Sequence, residues 1–361
     1  MRTGVANLPL HYGKAPAWLF KRMVRLARQI TLVIVAEHSP REFLNRVSDP
    51  FWFQAFGCVL GFDWHSSGLT TTLCGALKEG LKDISKDIGI FVCGGKGSVS
   101  RKTPHEIEEV GLRRLVNANT EGLIYASKMS AKVDSCALQD GYQLYQHSFI
   151  FSKSGDWAVI QQGMNTSTRW ARRYHWLGKE VSEFVCEPHK AICCDHTSQV
   201  FNMTAKESGE CRKMSTVLAT ESPEKVTNEF VKLKRLSLSS RHSVSMTDIR
   251  PRNLEKILLK TYERMPDSFE KLLGIEGVGP KTIRALSLIS ELIYGKSVSY
   301  RDPVRFSFAH GGKDGHPYPV NKKQYDLSIQ ILKDAVNKSK IGRHEKLEAL
   351  KRMNKNYGKG S

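Results

Sequence analysis

The chain has 361 residues, with 55 Lys and Arg against 36 Asp and Glu, a formal net charge of +19 and 40% hydrophobic residues. That apolar share supports packed cores and excludes a disordered polyelectrolyte, and the length suggests two or three domains. The excess of positive charge favours a polyanionic partner bound with salt-sensitive affinity.

The most apolar run, residues 30–36 (ITLVIVA), is far too short to span a bilayer, and residues 1–14 lack an apolar signal-peptide core. The expectation is a cytoplasmic, nucleoid-associated protein with no membrane partner. The cysteines Cys58, Cys74, Cys93, Cys136, Cys186, Cys193, Cys194 and Cys211 show no CxxC spacing and read as reduced intracellular thiols. Cys186, His189, Cys193, Cys194 and His196 crowd one segment and leave a metal site open, although structural zinc prefers separated ligand pairs.

In chain order, residues 18–34 carry Leu19, Met23, Leu26 and Ile30 at helical spacing, opposite Lys21, Arg22, Arg25 and Arg28. Ser39 before Pro40 predicts a capped helix to Val47, and the aromatic run 51–62 predicts core. A helix over 72–81 precedes a short buried strand, 89–93, that ends in the turn Gly94-Gly95-Lys96-Gly97. The amides of that turn could cradle a phosphate, with Lys96 beside them. It lacks P-loop spacing, and a solvated basic loop reads equally well.

A helix over 106–117 follows, and then the period changes to two. Residues 142–162 predict a β-hairpin of aromatic strands around Ser154-Gly155-Asp156. Arg169, Arg172 and Arg173, interleaved with Trp170, Tyr174 and Trp176, form a second candidate nucleic-acid patch; the alternative is an amphipathic segment whose rings are core.

The fold class expected is α+β: a mixed N-terminal domain over 1–205, then a basic, serine-rich connecting arm over 206–250 with one helix at 223–236. An all-helical domain over 251–353 and a disordered tail over 354–361 complete the chain. Within the helical half, helices are predicted over 251–264, 321–337 and 344–353.

Residues 272–294 read LLGIEGVGPKTIRALSLISELIY. A short helix, a turn punctuated by Gly277 and Gly279, and a second helix opened by Pro280 resemble the helix-hairpin-helix module, which grips a nucleic-acid backbone without reading its bases. Glycines let the backbone approach a phosphate and take positive φ. The outward amides at the start of the second helix favour an anion there, with Lys281 and Thr282 beside them.

Two broader resemblances follow. The segments TGVANLPLHYGKAPAWLF, DPFWFQAFGCVLGFDWHSSGLTTT, GGKGSVSRKTP and RDPVRFSFAHGGKDGHPYPV, with others between them, resemble the prokaryotic domain-of-unknown-function family 763 over residues 3 to 320. The stretch 253–305 resembles base-excision glycosylases of the hairpin superfamily. That likeness implies Lys281 as an abasic-site lyase nucleophile and Asp302, 21 residues further on, as the acid that stabilises charge, with no cofactor. Lys281 as a phosphate ligand and Asp302 as an ordinary helix cap remain open beside it.

Three functions are therefore expected of a DNA-binding protein. The first is DNA repair or processing, with glycosylase or lyase chemistry at Lys281 and Asp302. The second is a nuclease holding Mg or Mn with Asp63, His65, Asp134, Asp140 and His147. The third is a non-enzymatic adaptor that marks unusual DNA.

Overall fold

The period-two segment after Gly141 pairs with itself and recruits further strands into an antiparallel sheet that organises the molecule. The structure, a computed structural model, describes residues 15–62, 66–113, 115–194, 196–233, 249–304 and 322–357.

Helices α1 (Ala17–Glu37), α2 (Pro40–Ser48), α3 (Pro50–Val59), α4 (Gly68–Leu81) and the short α5 (Ser85–Ile88) lead to β1 (Ile90–Lys96). A 3-10 turn, Gly97–Lys102, precedes α6 (Thr103–Leu112) and α7 (Thr120–Lys132), after which a π turn, Val133–Ala137, leads to β2 (Leu138–Gln139). The strands β3 (Gln143–Ser152), β4 (Trp157–Asn165), β5 (Trp170–Leu177), β6 (Ala191–Cys193) and β7 (Phe201–Asn202) follow. The remainder is helical: α8 (Gly209–Ala219), α9 (Pro223–Leu233), α10 (Pro251–Arg264), α11 (Phe269–Gly274), α12 (Pro280–Leu292), α13 (Lys322–Lys338) and α14 (Arg343–Tyr357).

Local chemistry sets many of these boundaries. Ser39 accepts the Glu42 amide at 3.0 Å and Asp49 accepts the Trp52 amide at 2.8 Å, each followed by proline at the first helical position. Asn119 accepts the Glu121 amide at 3.0 Å to start α7, a helix that the apolar spacing does not announce.

The main sheet has strand order β1-β3-β4-β5-β6, every pairing antiparallel. Alternation sends Ile150, Ala158, Ile160 and Leu177 to one face, in a core shared with α1–α4 and with α13 and α14. It sends Phe149, Phe151, Val159, Tyr174 and Trp176 to the other face, in a core shared with α6–α12. Helices therefore cover both faces, and the sheet is buried between them.

Two sequence-based expectations change here. The chain does not divide at residue 205 into a sheet domain and a helical domain. Phe230, Leu254 and Ile289 share one core with the sheet residues Phe149 and Trp176, while Leu332 and Val336 join Ile30 and Phe53 on the opposite face. Nor is the start of the arm a connector: 209–219 and 223–233 are helices with Cys211, Leu218, Val226 and Phe230 buried. Its polar residues turn inward because partners await them. The Ser208 hydroxyl donates to the Asn202 carbonyl at 2.6 Å, and Ser287 lies 3.2 Å from the Cys211 thiol. Residues 354–357 of the expected disordered tail instead continue α14, while the rest of the proposed arm, 234–248, and residues 358–361 lie outside the described residues.

Candidate nucleic-acid interface

α11 begins on Ser268, whose hydroxyl accepts the Lys271 amide at 3.3 Å, and ends at Gly274. A five-residue turn leads to Pro280, the first residue of α12, whose N-cap residue Gly279 has no side chain to cap the helix. Gly277 has φ +92, and a Cβ there would lie 2.7 Å from Ile257 Cδ1. Gly279 differs from expectation: at φ −133 and ψ −177 it is extended, a conformation open to any residue. Its value lies in room, since the nearest atom to an added Cβ is the Gly277 carbonyl oxygen at 3.9 Å. Buried Val278 plugs the turn into the core, its carbonyl accepts from Lys132 Nζ, and the Pro280 carbonyl accepts from Gln139 Nε2 at 3.0 Å.

The turn opens onto a cleft of about 650 Å³ lined by Arg250, Asn253, Gly277, Gly279, Lys281 and Thr282 among others. Lys281 and Arg250 are exposed, whereas Thr282 is buried and turns inward. Sequence reasoning missed Arg250 and Asn253, which the start of α10 delivers to the turn. The signal was the Arg-Pro-Arg-Asn run at residues 250–253, a helix start with basic residues around its proline.

Asp302 stands elsewhere. It lines a smaller cleft of about 160 Å³ with Glu187, His189, Asn202, Thr204 and Glu207, not the cleft of Lys281. Its carboxylate accepts both terminal nitrogens of Arg172, at 3.2 and 2.9 Å, together with the Ser198 amide at 3.0 Å and the Val304 amide at 3.1 Å. The structure does not bring Lys281 and Asp302 into one pocket.

Arg172 and Arg173 do not form a nucleic-acid patch. Both are 0% exposed, because β5 is an interior strand flanked by β4 and β6. Arg172 faces the α6–α12 side and donates to Asp140 at 3.0 Å as well as to Asp302. Burial opposes its charge, but Asp140, then Tyr174 and Asp302, outweigh that and hold the guanidinium pKa above its ordinary value. Arg173 faces the α1–α4 side, donating to Gln54 Oε1 at 2.9 Å and Thr70 Oγ1 at 3.2 Å and lying 4.7 Å from the centre of the Phe53 ring. Burial pulls its pKa down to about 10. Arg169, at φ +62 in the β4–β5 turn, is exposed.

The glycine-rich segment is not a phosphate cradle. Gly94 and Gly95 continue β1, and a Cβ on Gly94 would lie 2.2 Å from the His147 carbonyl oxygen, so glycine is what lets β1 pair with β3. The Gly94 amide already donates to Glu106 Oε2 at 2.7 Å, and Lys78 bridges that carboxylate to the Gly94 carbonyl, so the amide is engaged within the protein. Lys96 is exposed at the strand end, 5.8 Å from the Tyr145 ring centre.

Of the candidate metal ligands, Asp63 and His65 lie outside the described residues. Asp134 accepts from Gln161 Nε2 at 2.6 Å and Trp176 Nε1 at 3.0 Å, and it bonds His189 Nε2. Asp140 accepts from Arg172, from the Tyr174 hydroxyl at 2.7 Å and from the Tyr142 amide at 3.1 Å. His147 sits between Ser127 and Gln161 at 2.9 Å each, and burial pushes its imidazole below the ordinary value. Among the described residues no three His, Cys, Asp or Glu side chains converge to hold a metal. The cysteine-rich segment disperses likewise: Cys193 lies beside Arg173, while Cys194 approaches the Tyr142 hydroxyl at 3.3 Å.

Fold and surface together define an α+β protein, an antiparallel sheet covered by helices on both faces with a basic cleft at a glycine turn. The chain belongs to the family described as "Protein of unknown function (DUF763)", whose sequence model matches residues 4–320. No curated protein and no solved structure matches it. Among the described residues no helix is long and apolar enough to cross a membrane.

Proposed function

We propose that this is a DNA-binding protein of DNA repair or processing, which holds the phosphate backbone at the turn between α11 and α12. One observation carries the reading. The turn Gly277–Pro280 opens onto a cleft that presents Arg250 and Lys281, with no acidic side chain in its lining among the described residues. Backbone amides at a helix start, two cations and open space around Gly279 suit a phosphodiester oxygen. The net charge of +19 supplies long-range attraction. Lys281 acts here as a phosphate ligand, because Asp302, its expected partner in lyase chemistry, is engaged by Arg172 in another cleft.

Binding of a labelled duplex across a salt series tests this. Gly279→Val adds bulk where the backbone is extended and space is free, so the fold should survive. Affinity should fall about tenfold or more, and Lys281→Ala should reduce the slope of log K against log salt by about 0.9, one phosphate contact. Salt-insensitive binding by the native chain, or unchanged affinity in a folded Gly279→Val, defeats the reading.

A further inference from the structure

A second cleft, of about 400 Å³, lies between α7, β3 and the 3-10 turn Gly97–Lys102, and its lining includes Ser127, His147 and Gln161. We propose that these three form a nucleophile, base and orienting group for attack on a phosphodiester. The choice of phosphodiester rests on the DNA-binding reading above.

The hydrogen bonds assign every proton. Gln161 Nε2 faces two acceptors, Asp134 Oδ2 at 2.6 Å and the Ser130 carbonyl at 3.2 Å. The amide nitrogen is thereby fixed, and Oε1 must be the atom 2.9 Å from His147 Nδ1. An amide oxygen only accepts, so Nδ1 carries the imidazole proton. His147 Nε2 is left with its lone pair toward Ser127 Oγ, 2.9 Å away, and accepts the hydroxyl proton. This is the tautomer and order of contacts in which a histidine activates a serine, with Gln161 where an orienting acid more often stands. Burial keeps His147 neutral near pH 7, the form that can take a proton.

Charge selects the substrate. Arg101, Lys128 and Lys132 line the cleft, and among the described residues no Asp or Glu does. An anion is attracted and its developing negative charge is offset. The cleft adjoins the turn, since Gly274 lines it and Lys132 Nζ bonds the Val278 carbonyl. Under the DNA-binding reading, the strand gripped at Gly277–Pro280 is the substrate this proposal assigns to the Ser127 cleft.

In the first step Ser127 Oγ attacks phosphorus and its proton moves to His147 Nε2. The bond from phosphorus to one ester oxygen breaks, and that oxygen takes the proton from His147 and leaves as an alcohol. Water, giving a proton to His147, then attacks the Ser127-linked phosphorus. The Ser127 oxygen departs and recovers that proton, so the net change is hydrolysis of one ester bond. Gln161 and Asp134 are positioning residues, holding the imidazole without touching the substrate.

Two assays on the full chain bypass the α11–α12 turn, so a failure of DNA retention there does not affect their outcome. A fluorophosphonate probe should lose fluoride and leave a phosphonyl group on Ser127, located by peptide mass mapping of the folded native chain. Ser127→Ala should take none, and Gln161→Leu should slow labelling about tenfold and abolish the downfield Nδ1 proton resonance that Ser127→Ala retains. Bis(p-nitrophenyl) phosphate should be hydrolysed in preference to p-nitrophenyl acetate, at a rate about 100-fold lower in Ser127→Ala. The proposal is overturned by an unlabelled Ser127 in the folded native chain, by phosphodiester hydrolysis that survives Ser127→Ala, or by a preference for the acetate.

Discussion

Arg172 and Arg173 are neighbours in sequence and equally buried, yet they live in different electrostatic worlds. On the α6–α12 face of the sheet Arg172 sits between two carboxylates, Asp140 and Asp302, and stays charged. On the α1–α4 face Arg173 meets the neutral amide of Gln54 and the hydroxyl of Thr70, and burial draws its pKa down to about 10. The strand's alternation alone produces this contrast. Arg172 is thus held by ion pairs, whereas the two terminal nitrogens of Arg173 donate to neutral partners.

The sharpest way to break the comparison is to remove the two cations one at a time. Arg172→Met leaves two carboxylates buried without their cation and should cost about 3–5 kcal/mol in urea unfolding. In a double-mutant cycle with Asp140→Asn the losses should be clearly less than additive, because the partner's penalty is then partly relieved. Equal, additive losses would show that Asp140 and Arg172 are not coupled.

Arg173→Met should cost less, about 1–2 kcal/mol, since it leaves a neutral amide oxygen short of a donor and also removes a buried charge. A loss as large as that of Arg172→Met would erase the distinction between the faces.

The smallest effect is in pH dependence. His147 on one face and His175 on the other are both held below the ordinary imidazole pKa of 6.5, in each case chiefly by burial. The unfolded chain therefore binds protons near pH 6.5 that the folded chain refuses, and stability rises with pH in that range. It is fully present above about pH 7 and is lost as pH falls through 6.5 toward the folded values. His175→Leu should remove roughly 1.4 kcal/mol per pH unit from that slope, at most, between about pH 6 and 5. An unchanged slope would mean that His175 is protonated in the fold.

The same contrast explains what could be read early. The α1, α2, α10 and α12 helices announce themselves through apolar spacing, caps and prolines, and all stand close to their expected bounds. The turn at Gly277 was visible because a left-handed bend before a proline-led helix is a local demand on residue type. α7 and α8 were not, because their inward faces carry Ser127, Ser130, Cys211 and Ser215, hydroxyls and a thiol that look like surface until their partners are known. β5 failed for the same reason: its arginines read as ligands of an external polyanion when the anions were internal. Asp140 and Asp302 lie 32 and 130 residues from Arg172, and no spacing rule reaches them.

Local sequence therefore determined where helices start, where the hairpin bends and which strands alternate, since each depends on a few adjacent residues. Only tertiary structure decided which polar side chains are interior, that the chain layers its helices on both sides of one sheet instead of dividing at residue 205, and that Ser127, His147 and Gln161 meet. The reason is desolvation: whether a charge or hydroxyl binds a ligand or holds the core depends on what the rest of the chain places within about 3 Å of it.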